Sequence, residues 1–424
     1  MIIIKNGYVI DPLTKREGKF DILIDGENVV RISQDIGIDD DIEVIDAEDC
    51  IVSPGFIDIH SHFRDPGFTE KEDIITGARA AARGGYTTVI CMANTNPVVD
   101  NVETLRYIVD KAKTAKIEVL QVGTITKGMQ GVELVDMEAL KEAGAVGFSD
   151  DGKPIMDSRL VLEAMQKARE LDVPLSFHEE DPKLVYESGI NGGKVAEKLN
   201  MMGALEEAET VLTARDAALA VSSGAKTNIQ HISSKISLGI IKLAKEMGAN
   251  IIAEATPQHF SITEEEILNC GTNAKVNPPL RREDDRKAIV AALKDDTIQV
   301  IATDHAPHTK DEKAREFKEA PSGMIGLETA LSLAVTNLVK TGDLTYRDMI
   351  SKLTINPARF YNLDRGYIKE GHRADIVIFD PDEKYTVKEE EFQSKASNSP
   401  FIGKELFGKV KTTIYNGKIV YEDK

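Results

Sequence analysis

Ile51-Val52-Ser53-Pro54-Gly55-Phe56-Ile57-Asp58-Ile59-His60-Ser61-His62-Phe63-Arg64 is an apolar run that ends in His-x-His. The run reads as a buried β-strand, on which residues two apart share a face. His60 and His62 therefore project together, with Asp58 one step behind and Arg64 one step ahead. Two imidazoles on one rigid face make half of a metal site. A buried pair of histidines needs partners, so the other half must come from elsewhere in the chain. Arg64 is a fixed planar cation suited to a carboxylate.

Downstream, short apolar strands alternate with helical patterns, the mark of βαβ units. Strands are expected over 55–61, 86–93, 117–123, 145–149, 173–178, 226–231, 249–255 and 298–303. Helices are expected between them, over 70–83, 102–115, 156–171, 205–222, 235–247 and 284–294. Eight such units point to a closed (β/α)8 TIM barrel over residues 54–364. A doubly wound open sheet is the alternative, but no Gly-x-Gly-x-x-Gly follows the first strand.

Barrels of this kind carry their chemistry at the carboxyl ends of the strands. Here those ends read His60/His62, Asn94, Ser149-Asp150-Asp151, His178-Glu179, His231 and Asp304-His305 through His308. Any one of these alone would be a satisfied core histidine or a loop cap. Their common placement makes a metal centre the better reading. Four histidines with two aspartates suit a pair of borderline ions such as Zn2+. Such a pair can hold a hydroxide between them near neutral pH, with a second carboxylate moving its proton.

The two ends of the chain resemble each other. Ile2-Ile3-Ile4-Lys5-Asn6-Gly7-Tyr8-Val9-Ile10 and Thr412-Thr413-Ile414-Tyr415-Asn416-Gly417-Lys418-Ile419-Val420-Tyr421 both place Asn-Gly between β-formers, a two-residue hairpin signal. Residues 1–53 and 365–424 are expected to pair as one composite β-sandwich domain around the barrel. The net charge of -19, from 52 basic and 71 acidic residues, argues against nucleic acid and anionic membrane as partners. An anionic substrate would need local positive charge from metal or arginine. Cys50, Cys91 and Cys270 show no metal spacing, which suits a reducing cytoplasm, and no apolar run approaches a membrane span.

The motifs Asp58-Ile59-His60-Ser61-His62-Phe63-Arg64-Asp65-Pro66-Gly67, Met92-Ala93-Asn94-Thr95-Asn96-Pro97, Phe148-Ser149-Asp150-Asp151-Gly152 and Thr303-Asp304-His305-Ala306-Pro307-His308 resemble those of the amidohydrolase superfamily. Within it they resemble the type I, single-chain bacterial dihydroorotases, over essentially the whole length. The resemblance implies that His60, His62 and Asp304 hold one metal and that His178 and His231 hold a second. Asp151 would bridge them; Asp150 beside it could take that role, but the family's bridge is the second of the pair. Asp304 would also be the general acid and base. Substrate contacts would be His62, Phe63, Arg64, Asn94, Asn277, His308 and the backbone of Ser322-Gly323, with Ser322 standing where the family pattern has Phe. The implied reaction is reversible closure of N-carbamoyl-L-aspartate to dihydroorotate and water, in pyrimidine synthesis, with one or two Zn2+ per subunit. A homodimer is the family default, and a complex with aspartate transcarbamoylase occurs in some members.

Two other readings compete with this one. Dihydropyrimidinases, hydantoinases and allantoinases share the barrel but bridge their metals with a carboxylated lysine; this chain has Ser149-Asp150-Asp151 at that strand end, and Lys153 comes later. A degenerate scaffold subunit would have lost ligands. The polar stretch 309–321 reads as a mobile loop over the site. His259, His305 and His372 are expected to lie outside the metal centre, and Asp58 has no assigned role.

Overall fold

The computed structural model describes residues 1–37 and 42–423. Seven strands precede the barrel: β1 (Ile2–Lys5), β2 (Tyr8–Asp11), β3 (Arg16–Lys19), β4 (Asp21–Asp25), β5 (Asn28–Ser33), β6 (Glu43–Asp46) and β7 (Ile51–Pro54). The barrel strands are β8 (Phe56–Ser61), β9 (Tyr86–Cys91), β10 (Glu118–Gly123), β11 (Ala145–Phe148), β12 (Leu175–Phe177), β13 (Thr227–Ile229), β14 (Ile251–Ala255) and β15 (Val300–Ile301). They lie in sequence order and pair in parallel throughout. The ends of the row meet through a parallel bridge between Ser61 and His305. The six expected helices are present, as Ile74–Arg83, Val102–Ala112, Ser158–Glu170, Glu207–Ser223, Lys235–Glu246 and Glu283–Lys294. The first begins four residues later than expected because Asp73 caps it in a reciprocal capping box with Thr76, which satisfies otherwise orphaned amides.

Several barrel strands are shorter than the apolar runs suggested. β15 stops at Ile301 because the Thr303 amide donates to Asp58 Oδ1 (2.9 Å) rather than to a neighbouring strand. Asp304 then adopts a left-handed φ of 48° and, after β13, His231 a φ of 32°. The ladder ends where the side chains must turn inward.

After the barrel come β16 (Ile376–Thr386), β17 (Glu405–Tyr415) and β18 (Lys418–Glu422). They join the N-terminal strands in one mixed sheet of order β18-β17-β16-β7-β2-β3. β16 pairs antiparallel with β7, Ile376 opposite Pro54. A second sheet, β5-β4-β1-β6, faces it across a core that includes Ile4, Ile22, Ile24, Val52, Ile376 and Ile414. β7 runs directly into β8, so this double layer is anchored to the first barrel strand.

The two Asn-Gly turns behave differently. Asn416-Gly417 closes the expected hairpin, with Tyr415 opposite Lys418. Asn6-Gly7 does not: β1 pairs with β4 and β6, while β2 pairs with β3 and β7. The turn carries the chain from one sheet to the other and sits on β7, where a Cβ on Gly7 would lie 2.4 Å from Val52 Cγ2.

Candidate active site

Six side chains from five strand ends converge at the barrel mouth. His60 and His62 leave β8, Asp151 follows β11, His178 follows β12, His231 follows β13 and Asp304 follows β15. All six are buried. His60 Nε2 lies 3.5 Å from Asp151 Oδ1 and 3.5 Å from Asp304 Oδ1. His62 Nε2 lies 3.1 Å from Asp304 Oδ1 and 3.5 Å from Asp151 Oδ2. On the other side, Asp151 Oδ1 faces His178 Nδ1 at 3.6 Å and His231 Nε2 at 3.9 Å. The donors form two groups, His60-His62-Asp151 and Asp151-His178-His231, each with its ligand atoms within 4.8 Å of one another. The shared carboxylate is the geometry of a binuclear metal site.

The residues fit such a group on two further grounds. His60 Nε2 and Asp151 Oδ1 are buried and have no hydrogen-bond partner, a costly state unless something else is bound there. The titration pattern also favours added positive charge. Burial opposes charging His60, but Glu254, Asp151 and Asp304 raise its pKa well above normal. Burial alone would raise the Asp151 carboxyl, yet His60 and His178 hold it well below the usual range. Asp304 is likewise drawn down to about 2 by His60 and His62 against burial. Burial, then His178 and His60, keeps His231 neutral.

Asp150 points elsewhere. Its Oδ1 accepts from the Ile125 (2.7 Å) and Thr126 (3.1 Å) amides, and Oδ2 accepts from the Thr126 hydroxyl. It caps the turn after β10, and of the pair only Asp151 faces the histidines.

Two buried carboxylates that the sequence reading left unassigned organise the centre. Glu254 on β14 lies 3.0 Å from His60 Nδ1 and accepts from Asn228 Nδ2. It orients the ring so that Nε2 faces inward. Glu254 is the one charged residue of β14, among Ile251, Ile252, Ala253 and Ala255, a signal that the strand pattern could have raised. Asp58 is fully buried and accepts from Ser61 Oγ (2.7 Å), Thr303 N (2.9 Å) and Thr303 Oγ1 (2.5 Å). It stitches β8 to the end of β15.

Beside the six donors lies a cavity of about 210 Å3, lined also by Arg64, Asn94, Asn277, Ala306, His308, Ser322 and Gly323. Arg64 Nε donates to Pro307 O (3.3 Å) and its Nη2 lies 3.3 Å from His308 Nε2. Asn94 is tied into the donor cluster, its Oδ1 at 2.9 Å from His62 Nδ1 and its Nδ2 donating to Asp151 Oδ2 (3.1 Å). The Ser322 hydroxyl donates to Asn277 Oδ1 (3.2 Å), and its carbonyl faces His308 Nε2 at 3.0 Å. The Gly323 amide is donated to Lys275 O (2.8 Å). Phe63 does not line the cavity. Its ring lies against His305, centroids 6.3 Å apart, and over Gly77, where a Cβ would come within 2.5 Å of it.

The stretch 309–321 carries its own short helix, Lys310–Lys313, capped by Thr309 and Glu312. Lys313 Nζ donates to Pro321 O and Gly323 O (both 3.0 Å), and Lys275 Nζ to Phe317 O and Ala320 O (both 2.6 Å). His259 is buried between Thr256 Oγ1 and Pro278 O. His305 turns away towards the Gly326 amide, and His372 meets Tyr367 in the terminal sheets.

A parallel barrel with paired histidine and aspartate donors at its mouth, one carboxylate shared, defines a metal-dependent hydrolase. The model of the amidohydrolase family matches residues 51–420. A dihydroorotase of Clostridioides difficile (strain 630) is 58% identical over 421 residues, 99% of this chain and 100% of that protein. A dihydroorotase of Lactococcus lactis subsp. lactis (strain IL1403) is 48% identical over 423 residues, covering 100% of both. Among solved structures, the L-hydantoinase (dihydropyrimidinase) of Arthrobacter aurescens superposes with a TM-score of 0.87 at 23% identity, over 99% of this chain and 96% of that one. The chain belongs to the amidohydrolase family and, within it, to the dihydroorotases. The hydantoinase likeness describes the fold alone. Among the described residues, no helix is long and apolar enough to cross a membrane.

Proposed function

We propose that this site catalyses the reversible hydrolysis of dihydroorotate to N-carbamoyl-L-aspartate, with His60, His62 and Asp304 holding one Zn2+, His178 and His231 a second, and Asp151 bridging. The observation that carries the reading is the convergence of these donors beside a small cavity that also contains one arginine. Mixed imidazole and carboxylate donors favour zinc. When bound, the ions would polarise the ring carbonyl and activate water at neutral pH.

The chain's own residues account for the rest. Arg64 clamps the substrate carboxylate, a planar fork on a planar anion, and supplies positive charge that a chain of net charge -19 otherwise lacks. Asp304, deprotonated and opening on the cavity, takes a proton from the attacking water and returns it to the ring nitrogen as the C–N bond breaks. The water oxygen stays on the carbonyl carbon, and the carboxyl group so formed loses the water's second proton to solvent to become the new carboxylate. Asn94 keeps His62 and Asp151 in register, and His308, Asn277 and the Ser322-Gly323 backbone complete the cavity wall around the substrate. Ser322 in place of Phe adds a hydroxyl that donates to Asn277 Oδ1, and a substrate contact made through the Ser322-Gly323 main chain does not depend on that side chain.

At the end of β11, where the hydantoinase-type mechanism needs a lysine, the chain has Asp151, and Lys153 is exposed. The full ligand set likewise speaks against a scaffold role. The three cysteines are unpaired, which supports a reducing cytoplasm. The composite sheets and the barrel are read as two domains, 1–53 with 365–424, and 54–364. Zinc-loaded protein should hydrolyse dihydroorotate, cyclise N-carbamoyl-L-aspartate, and leave dihydrouracil and hydantoin intact. Absence of dihydroorotate turnover at full metal occupancy overturns the reading.

A further inference from the structure

We propose that Asn398, delivered by the C-terminal segment, is a positioning residue that holds the substrate wall of the cavity in shape. The inference rests on the function proposed above and adds a residue outside the barrel to it.

Asn398 is 4% exposed, and its carboxamide is fully used. Nδ2 donates to Ala306 O (3.1 Å) and to Gly323 O (3.0 Å), while Oδ1 accepts from the His308 amide (3.1 Å). Its own carbonyl accepts from the Ile325 amide (3.0 Å). These partners belong to the two segments that form one wall of the cavity, since Ala306, His308, Ser322 and Gly323 all line it. The segments pair with each other only briefly, through His305 and Met324 and the Ala306 amide on Met324 O (2.9 Å). Where that pairing ends, the Asn398 carboxamide continues it.

The consequence reaches the substrate through His308 and Arg64. With its amide fixed by Asn398, the His308 ring is set 3.0 Å from Ser322 O and 3.3 Å from Arg64 Nη2. Arg64 is in turn referenced to Pro307 O, between the two anchored residues. One carboxamide therefore sets the relative position of the cation, the imidazole and the Ser322-Gly323 backbone. Only a side chain that donates twice and accepts once at this length fits; a carboxylate cannot donate, and an alkyl group leaves the buried His308 amide and Ala306 O unpaired and Gly323 O with Lys313 Nζ alone. The segment itself is strapped to the barrel. Glu328 accepts from the Gln393 (2.9 Å) and Ser394 (3.1 Å) amides, and Glu72 accepts from the Ser394 hydroxyl. Lys395 Nζ donates to Thr69 O (2.7 Å) and Asp73 Oδ2 (2.5 Å).

The test uses the full-length, zinc-loaded protein and the variants Asn398→Ala and Ser397→Ala. Ser397 is the neighbour on the same strap, and its hydroxyl donates only to Glu389 (3.0 Å). Asn398→Ala should raise KM for dihydroorotate about tenfold or more, leave kcat within about threefold, and keep the parent metal content. Without substrate, hydrogen exchange at 305–309 and 322–326 should quicken in Asn398→Ala and stay at the parent rate in Ser397→Ala. Parent KM together with parent exchange overturns the proposal, as does a loss confined to kcat and metal content. Exchange is read independently of turnover. If the parent itself failed to hydrolyse dihydroorotate, the proposed function would fall, while exchange would still decide the clamp. Asn398→Ser, which keeps one short polar group, is read by the same criteria if the alanine chain does not fold.

Discussion

Arg64 occupies the left-handed region at φ 59°, an uncommon conformation for a long side chain. It brings the guanidinium to the cavity beside His308 rather than out to solvent. Arg64→Lys removes the planar fork but keeps the charge, so KM for dihydroorotate should rise about ten- to a hundredfold, the cost of a charge-assisted bond. Metal content, measured by elemental analysis, should not change. Asp151→Ala removes the one carboxylate common to both donor groups. Bound zinc should fall, most clearly at the His178-His231 side, and full occupancy of both sites would remove Asp151 as the bridge. Glu254→Gln leaves the His60 ring without its anionic partner, and zinc affinity, measured by chelator competition, should drop about ten- to a hundredfold.

At the scale of elements, the barrel seam is a thin stretch of the ladder, closed by one bridge between Ser61 and His305 and by side chains. β15 contributes two residues, and its continuation is held by Asp58 on β8, through the Thr303 amide and hydroxyl. Asp58→Ala should lower unfolding free energy by about 2–4 kcal/mol, because several buried donors lose their acceptor at once, with a matching fall in the thermal midpoint. The same residues could not be assigned from the sequence. Asp58 is aligned with His60 and His62 along the strand, but which strand would lie beside it depends on barrel closure. The Asn-Gly turns make the same point. The turn at 416–417 and the turn at 6–7 have the same local chemistry, and only packing on β7 sends the second across to another sheet.

For the whole molecule, acid sensitivity follows from the wall of the cavity. Burial, then the charges of Arg64, Lys71 and Lys313, pushes the His308 pKa from 6.5 down to about 3. The unfolded chain binds a proton near pH 6.5 that the folded chain refuses until about pH 3, so acidification through that window favours unfolding. His308→Asn should flatten the pH dependence of unfolding free energy between those limits, as measured by denaturant titration at fixed zinc. An unchanged slope would show that His308 titrates normally in the folded state. The terminal segments enter the function at this scale too, because the strap that carries Asn398 lies between β16 and β17, beyond the barrel.

The sequence by itself determined the barrel, its helices, the pairing of the two ends and, with the family resemblance, the residues that meet in two groups sharing Asp151, namely His60, His62, Asp151, His178 and His231. Those features rest on local periodicity and on residue types at strand ends, which a chain carries wherever it folds. The tertiary structure supplied the physical reason for Asp151 over Asp150, since neighbours in sequence point opposite ways and only Asp151 faces the histidines. It turned Phe63 away from the cavity, gave Asp58 and Glu254 their partners, tied down the 309–321 stretch through Lys275 and Lys313, and brought Asn398 to His308. Each of these depends on groups far apart in the chain, and burial makes every such polar group costly until it finds its partner.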